Sequence, residues 1–381
     1  MQMQLNSLSG IARSGLDDLA SDVTALSANA LEPNFTLMPQ WIQPLVNNCS
    51  TQQDVHPVHA MTDDGRLGAF SMMQVRKWRW GLPVSHAESF MGDFPISGTP
   101  LLSCVDPAGS CAAMLSNAFE TLDVPVLMLP HLTGHQVVSS VLVEACRAIG
   151  APIKFFEDRK RASLHCNGDY AAWLETTFSR KRRKEFRRLK TRLAETGSLR
   201  MDNEAPQGAA LDTWIDEFLK LEQAGWKGHH GTAIGQSDNL SAFLKESMAR
   251  FARSQKLMCW RMSLDDTPVA MMFGTREGSN CWIVKIAYDE TLARFSPGVL
   301  LVLEATRSLF EDDTVMFVDS CAAPNHPMID HLWKDRLCVR DVMIGNPARS
   351  RAAFQVFAHL ETMRNTSLTS LKKILKRGKG S

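Results

Sequence analysis

Two distant stretches of this chain share one plan. Asp54 to Val75, DVHPVHAMTDDGRLGAFSMMQV, reads as strand, Asp-Asp-Gly turn, strand. Lys256 to Glu277, KLMCWRMSLDDTPVAMMFGTRE, reads as strand, Asp-Asp-Thr-Pro turn, strand. Asp tolerates left-handed backbone and bonds its own main chain, while Gly or Pro fixes the remaining φ, so both read as hairpins. A helical segment ending in a Trp-containing loop precedes each, ALEPNFTLMPQWIQPLV near Trp41 and TWIDEFLKLEQAGWKGHHGTAI near Trp226. A β-α-β pattern follows each. In the first half these are the strand VPVLMLPHL, the helix HQVVSSVLVEACRAIG ending at Gly150, and the strand PIKFFED. In the second they are the strand CWIVKIAY, the helix PGVLLVLEATRSLF and the strand TVMFVDSC. Two copies of one α/β unit explain this most simply; chance likeness of two generic hairpins is the alternative. The length, 381 residues, also asks for two domains. The expected division is 1–170, 171–365 and a basic tail, 366–381, with HCNGDY marking the break.

Bulk properties narrow the function classes. Apolar residues make up 44% of the chain, enough for substantial cores, and the net charge of +1 gives no global field toward nucleic acid or membrane. The nine cysteines form no C-x-x-C and are odd in number, which favours reduced thiols over a disulfide framework or a zinc site. His229 and His230 are adjacent rather than a helical turn apart, so no metal pair is expected there. The N-terminal stretch lacks a basic start and an apolar run, so no signal peptide is expected. No run of about 18 apolar residues suggests a transmembrane helix. A cytoplasmic protein is the expectation.

Charge is locally uneven. RKRRKEFRRLKTRL, Arg180 to Leu193, holds nine basic residues and one acid. Phe186, Leu189 and Leu193 form one helical stripe, so the segment reads as a docked helix with a solvated basic face. A phosphate-facing helix, for a cofactor, a lipid head group or RNA, is the sharper reading. Within YDETLARFSPGVLLVLEATRSLF, Ser296 as N-cap and Pro297 at the first helical position give a clean helix start. The first amides, from Gly298 on, have no partner inside the helix and gather partial positive charge, which suits a phosphate. Gly298 permits close backbone approach and Arg294 can add full charge. The following helix is apolar nearly all round, as a core helix lying on a sheet would be.

FSRKRRKEFRRLKTRLAETG, FLKLEQAGWKGHHGTAI and YDETLARFSPGVLLVLEATRSLF followed by a strand ending at Asp319 resemble the GNAT acyltransferase fold. The chain looks most like the GNAT-type acetyltransferases grouped with bacterial cellulose-biosynthesis proteins and with the Fem peptidyltransferases, which carry two such units in tandem. EPNFTLMPQW and PVLMLPHLTG resemble the matching parts of the first unit. The resemblance covers about residues 25–365. It implies tandem GNAT-like α/β domains, each a mixed, mostly antiparallel sheet flanked by helices, the first one degenerate. It implies transfer of an acyl group, acetyl above all, from acyl-CoA to a small-molecule amine. The CoA is then expected along Ile286, Ala287 and Tyr288 and on Arg294, Phe295, Ser296, Gly298 and Val299. Trp226 and Lys227 are the implied acceptor side. The loop departs from the Q/R-x-x-G-x-G/A form, since Pro297 and Val299 fill its two small-residue positions. Fem-type enzymes use aminoacyl-tRNA instead, and a non-catalytic scaffold in envelope or polysaccharide assembly is a further alternative.

The catalytic candidates are Asp319, His326 and Glu222. Asp319 closes an apolar strand run and is expected at an open crevice, where a carboxylate could deprotonate or hold an amine. A cap for the segment that follows it is the bland alternative. His326 lies in a Pro-flanked loop, and Glu222 precedes the W-K-G segment. Cys321 reads as a small buried residue before it reads as a nucleophile. No tyrosine follows the strand ending at Asp319; the two in the chain are Tyr170 and Tyr288. In the first half, only Gly134 precedes the helix after LMLPHL, so the active site is expected in the second unit. RNA or an anionic surface could meet residues 180–193, and the oligomeric state is open.

Overall fold

The computed structural model describes residues 15–49, 54–133, 137–225, 228 and 230–378, with side chains through residue 366. The chain forms two compact units, and neither is contiguous. Unit 1 draws on 1–34, 52–159 and 338–381; unit 2 draws on 35–51 and 160–337. A single cut near residue 170 therefore does not separate them, because each unit borrows a segment from the other half of the sequence.

In unit 1, β1 (Asp54–Met61) and β2 (Leu67–Arg76) make the expected hairpin, with Asp54 opposite Val75 and Gly65 at positive φ in the turn. Strand β3 (His86–Ser89) runs antiparallel to β2 and carries the ladder to β5 (Val126–Leu132), which is parallel to β3. The short β4 (Leu101–Leu102) pairs with β2. The crossover between the parallel strands is helix α3 (Pro107–Leu122), preceded in the chain by α1 (Ala20–Ala28) and α2 (Pro39–Cys49). Helix α4 (Val137–Ala148) and strand β6 (Ile153–Phe155) follow. Strand β13 (Asp335–Gly345) is antiparallel to β5 and is joined by β6.

Unit 2 repeats the order. Helices α5 (Tyr170–Thr177), α6 (Arg180–Ala194), α7 (Ala209–Ala224) and α8 (Asp238–Arg253) lead to β9 (Leu257–Leu264) and β10 (Thr267–Glu277). Asp265 and Asp266 both adopt positive φ in the turn, as a primed two-residue hairpin requires. Strand β11 (Asn280–Tyr288) is antiparallel to β10, β12 (Phe317–Asp319) is parallel to β11, and α9 (Pro297–Glu311) is the crossover. The flanking strands are β8 (Leu199–Asp202) beside β9 and β7 (Arg159–His165) antiparallel to β12. Thus β1, β2, β3, β5 and β13 correspond in order and direction to β9, β10, β11, β12 and β7. The fifth strand of each unit comes from the opposite half of the sequence.

This correspondence corrects one equivalence. The sequence reading matched the strand–helix pair β5–α4 with β11–α9. The ladder matches β3–α3 with β11–α9, so the first unit's counterpart of Ser296-Pro297-Gly298 is Asp106-Pro107-Ala108, not the segment at Gly134. Gly134 lies outside the described residues. The Trp41 segment also changes place: α2 belongs to unit 2, where Trp41 meets Phe243 edge-on at 4.8 Å and Phe35 meets Trp282 at 5.4 Å.

The core of unit 2 holds the site in place. Strand β10 is buried along most of its length. Phe273 packs on Phe218 of α7, while Met272 joins the cluster that includes Leu300, Leu301 and Leu303 of α9. Helix α9 is buried at nine positions, as its all-round apolar sequence predicts. Trp333 and Trp260 donate their indole N–H groups to Thr306 and Ser308 of α9, at 3.0 and 2.9 Å. The short α10 (Ile329–Leu332) and the long α11 (Arg351–Gly378) complete the chain.

Candidate active site

The ladder between β11 and β12 covers only Asn280–Trp282 against Phe317–Asp319, and β11 runs on to Tyr288 beyond it. Just past this short ladder β11 carries a bulge: Phe273 faces Lys285 and Gly274 faces Ile283, so Val284 is the extra residue. Bulges bend a strand and re-aim its side chains, and they gather beside functional sites. The end of the strand, Ile286, Ala287 and Tyr288, lines a small pocket with Leu221, Glu222, Gly225 and Glu290. Its volume of about 20 Å³ holds roughly one water. Four residues singled out in the sequence therefore meet at one place: Glu222, Ile286, Ala287 and Tyr288.

A 3₁₀ turn, Glu290–Phe295, links β11 to α9, and the Asp289 carboxylate caps it by accepting from the Thr291 amide at 2.8 Å. Ser296 then takes φ 52° and ψ 54°, and Pro297 begins α9 as expected. The cap itself differs from expectation. Ser296 makes no side-chain cap bond; it contributes its carbonyl, which accepts from Leu300 at 3.1 Å. Left-handed backbone costs a non-glycine residue roughly 1–2 kcal/mol. Such strain persists where surrounding structure imposes it, often at functional sites. Arg294 is exposed and its guanidinium lies over the buried Phe295 ring, 4.7 Å from the centroid. Val299 is half-buried at the edge of the first turn.

Gly298 also has a packing role. A Cβ there would come 2.9 Å from Cδ1 of Tyr288 and 3.3 Å from Sδ of Met328. The glycine makes room for the Tyr288 ring, which is how the strand end and the helix start come to touch.

The three catalytic candidates are all engaged. Asp319 is buried and forms an ion pair with Arg161 of β7, while its other oxygen accepts from the Cys321 amide at 2.9 Å. It does not stand at an open crevice: β7 covers that edge of β12, with Ser163 opposite Asp319. Burial alone would lower the affinity of Arg161 for its proton, but the Asp319 carboxylate more than reverses this, so the guanidinium is charged. Both oxygens of the Asp319 carboxylate are thus engaged, one by Arg161 and one by the Cys321 amide. The neighbouring Cys321 thiol is pushed well above its ordinary range by burial and then by Asp319, so it is no nucleophile near neutrality. His326 is half-buried, and its Nδ1 accepts from the amides of Met328 and Ile329 at 3.3 and 3.4 Å, capping α10. Glu222 is fully buried, its Oε1 bonded to Lys285 Nζ at 2.9 Å and its Oε2 to the Ile234 amide at 2.9 Å. Trp226 and Lys227, the expected acceptor side, lie outside the described residues, immediately after Gly225 of the pocket wall.

Two partners had not been singled out. Lys285 was visible in principle as the single charge within CWIVKIAY. Arg161 had no such signal, since its partner is 158 residues away. Helix α6 forms as expected, capped by Ser179 and docked by Phe186 and Leu193. It packs against the 290–295 turn and α9, and Lys190 lies 3.6 Å from Glu304. Arg183 is structural, donating to the carbonyls of Glu175 and Phe178, whereas Arg180, Lys181, Lys184, Arg187, Arg188 and Arg192 are exposed. Among the described residues no cluster of His, Cys, Asp and Glu could hold a metal ion, and no helix is long and apolar enough to cross a membrane.

Residues 180–326 match the family model described as an acetyltransferase (GNAT) domain. No curated protein matches the chain. Among solved structures, FemX is 9% identical with a TM-score of 0.60, covering 88% of this chain and 98% of its own. The C-terminal domain of a putative lysylphosphatidylglycerol synthetase from Agrobacterium fabrum is 13% identical with a TM-score of 0.52, covering 90% and 95%. L-PGS from Bacillus licheniformis is 12% identical with a TM-score of 0.51 over the same shares. At these identities the likeness speaks for the fold. The chain has a Fem-like tandem GNAT fold, and the residues that match the GNAT domain model lie in its second unit.

Proposed function

We propose that unit 2 transfers an acyl group from acyl-CoA to an amine, with the donor held between the end of β11 and the first turn of α9. The observation that carries this reading is the short β11–β12 ladder. The strand leaves its neighbour after Trp282 and, with its bulge at Val284, delivers Ile286–Tyr288 to the helix start. An extended donor can follow such a strand edge, with its phosphates at the amides of Gly298 and Val299 and near Arg294. The donor supplies a thioester carbonyl. The amine attacks that carbon, the amide bond forms as the C–S bond breaks, and the amine proton leaves as the thiolate is protonated. Glu222, locked to Lys285 and Ile234, positions the pocket wall beside β11. Asp319 and His326, each committed to other partners, serve the architecture.

A second reading is favoured by the exposed arginines and lysines of α6, packed beside the same turn. They suit a larger polyanion, the aminoacyl-tRNA used by the Fem enzymes the chain resembles. Calorimetry with acetyl-CoA, a long-chain acyl-CoA and charged tRNA distinguishes the donors. Under the acyl-CoA reading Arg294→Gln keeps its fold, because the side chain is exposed, and weakens acyl-CoA binding about tenfold, the loss of one charge-assisted bond. Unchanged affinity would remove this loop from the site.

A further inference from the structure

The terminal helix α11 is apolar on two opposite faces. Phe354, Phe357, Ala358 and Glu361 are buried and fall on one side by their spacing. Phe354, Phe357 and Ala358 join the core cluster of Val126, Met128 and Met343. Val356, Leu360 and Met363 fall on the other side, and they are 61%, 36% and 55% exposed. A helix that only needed to cover its unit would be polar there.

The charge on this helix has one sign. Arg351 to Gly378 contains Arg351, Arg364, Lys372, Lys373, Lys376 and Arg377, and its only acid is Glu361. Glu361 faces inward and is neutralised by Arg79, at 2.7 Å, while Trp80 donates to it at 2.9 Å. The loop that brings Arg79 and Trp80 to the helix also exposes Trp78 at 65% and Leu82 at 50%. Arg364 also pairs with Glu361, at 2.9 Å, and the other basic residues of the helix have no acid on it to meet. An exposed apolar stripe, these basic residues and a bare tryptophan in the anchoring loop form the pattern of a helix that lies in a membrane interface. Among the described residues no helix is long and apolar enough to span, so the contact argued for is superficial.

We infer that α11, with the Trp78–Leu82 loop, docks this protein on the surface of an anionic lipid bilayer. The inference is independent of the acyl-transfer reading, because it concerns unit 1 and not the site in unit 2. Its occupant is a bilayer rather than a second copy because a like-charged helix would repel its twin, while acidic headgroups offer the complementary charge.

The test is co-sedimentation of the full chain with vesicles of phosphatidylcholine alone and of phosphatidylcholine mixed with phosphatidylglycerol. Binding is expected only to the mixed vesicles and should weaken as salt rises. Replacing Val356, Leu360 and Met363 together by Gln should lower the partition coefficient about tenfold or more, with the melting temperature preserved because all three are exposed. Replacing Lys372, Lys373, Lys376 and Arg377 by Gln should remove the preference for acidic lipid. Three results would overturn the inference. The first is a full chain that ignores acidic vesicles, and the second is a triple variant that binds as the parent does. The third is a parent that runs as a dimer and a triple variant that runs as a monomer, which makes the stripe an interface between copies.

Discussion

Asp319→Asn separates architecture from catalysis in one substitution. Both side chains of the Asp319–Arg161 pair are nearly sealed, at 2% and 3% exposure. Asparagine keeps an oxygen for the Cys321 amide but removes the charge that balances the guanidinium. Removing one partner of a buried pair costs about 3–5 kcal/mol, because the other charge stays in low dielectric. That is about a fifth or more of the roughly 5–15 kcal/mol that holds a typical domain together. If Asp319 merely capped the next segment, the loss would stay under about 1 kcal/mol. The measurement is urea unfolding of the parent, of Asp319→Asn and of the double variant Asp319→Leu with Arg161→Met. The single variant should lose several kcal/mol. The double variant should recover most of that loss, since apolar replacement of a buried pair is often neutral or better. Turnover, measured where the single variant is still folded, should fall much less than the 10²-fold or so that removal of a general base costs. A small stability loss with collapsed turnover would refute this account and make Asp319 the base despite its partner.

Two further outcomes follow from unit 1 and from α6. At the α11 anchor, His86 is held below its ordinary 6.5, first by burial and then by Arg79; Arg76 adds to this, and Glu88 and the Val84 carbonyl only partly oppose it. Glu361 is also held low: burial would raise it, but the Arg79 bonds, with help from Arg364 and Trp80, outweigh that. Both folded values lie below the unfolded ones, so the unfolded chain takes protons first as pH falls. The anchor is thus fully stable above about pH 6.5, weakens below it through His86, and weakens again below the ordinary carboxylate range through Glu361. Hydrogen exchange across 351–366 as a function of pH checks this, and protection independent of pH would contradict it. For α6, Arg180, Arg187, Arg188 and Arg192 changed to Gln spares the structural Arg183. tRNA binding should be weak and non-saturating in parent and variant alike. A saturable parent whose salt slope falls by roughly one unit per arginine removed would instead favour the tRNA donor.

Local patterns were legible and long-range exchanges were not. The hairpins, the Pro297 helix start and the core helix after it follow from turn chemistry and apolar spacing, which act over a few residues. Helix α3 escaped notice because PAGSCAAMLSNAFETL is rich in small residues, with little large apolar periodicity to mark it. Missing it shifted the first half's equivalences by one strand–helix step. The exchange of β7 and β13 between units, and the seat of α2 in unit 2, depend on contacts between residues far apart in sequence. At the candidate site, Glu222 and Ile286–Tyr288 were singled out from the sequence, and they line one pocket. Lys285, the partner of Glu222, and Arg161, the partner of Asp319, were not singled out, because a lone base on a strand declares its partner only once the fold brings distant segments together.

The corrected equivalence bears on why one unit would work and the other would not. Helices α3 and α9 start alike: a residue in the left-handed region, Asp106 at φ 46° or Ser296 at φ 52°, followed by proline. Each start uses its carbonyl in the same way, accepting from Ser110 and from Leu300 at 3.1 Å. The difference is the side chain. Asp106 Oδ1 accepts from the Gly109 amide at 3.0 Å, and a Cβ on Gly109 would meet that carboxylate at 2.1 Å. The first turn of α3 therefore already holds an anion, its own, which neutralises the positive end of the helix. A phosphate arriving there would meet a carboxylate in place of an amide. Ser296 carries no charge and makes no side-chain cap bond, so the first turn of α9 keeps its partial positive charge, with Arg294 close by in sequence. The acidic residue at one of two equivalent helix starts disfavours an anion there, which supports the proposal that the donor sits in unit 2.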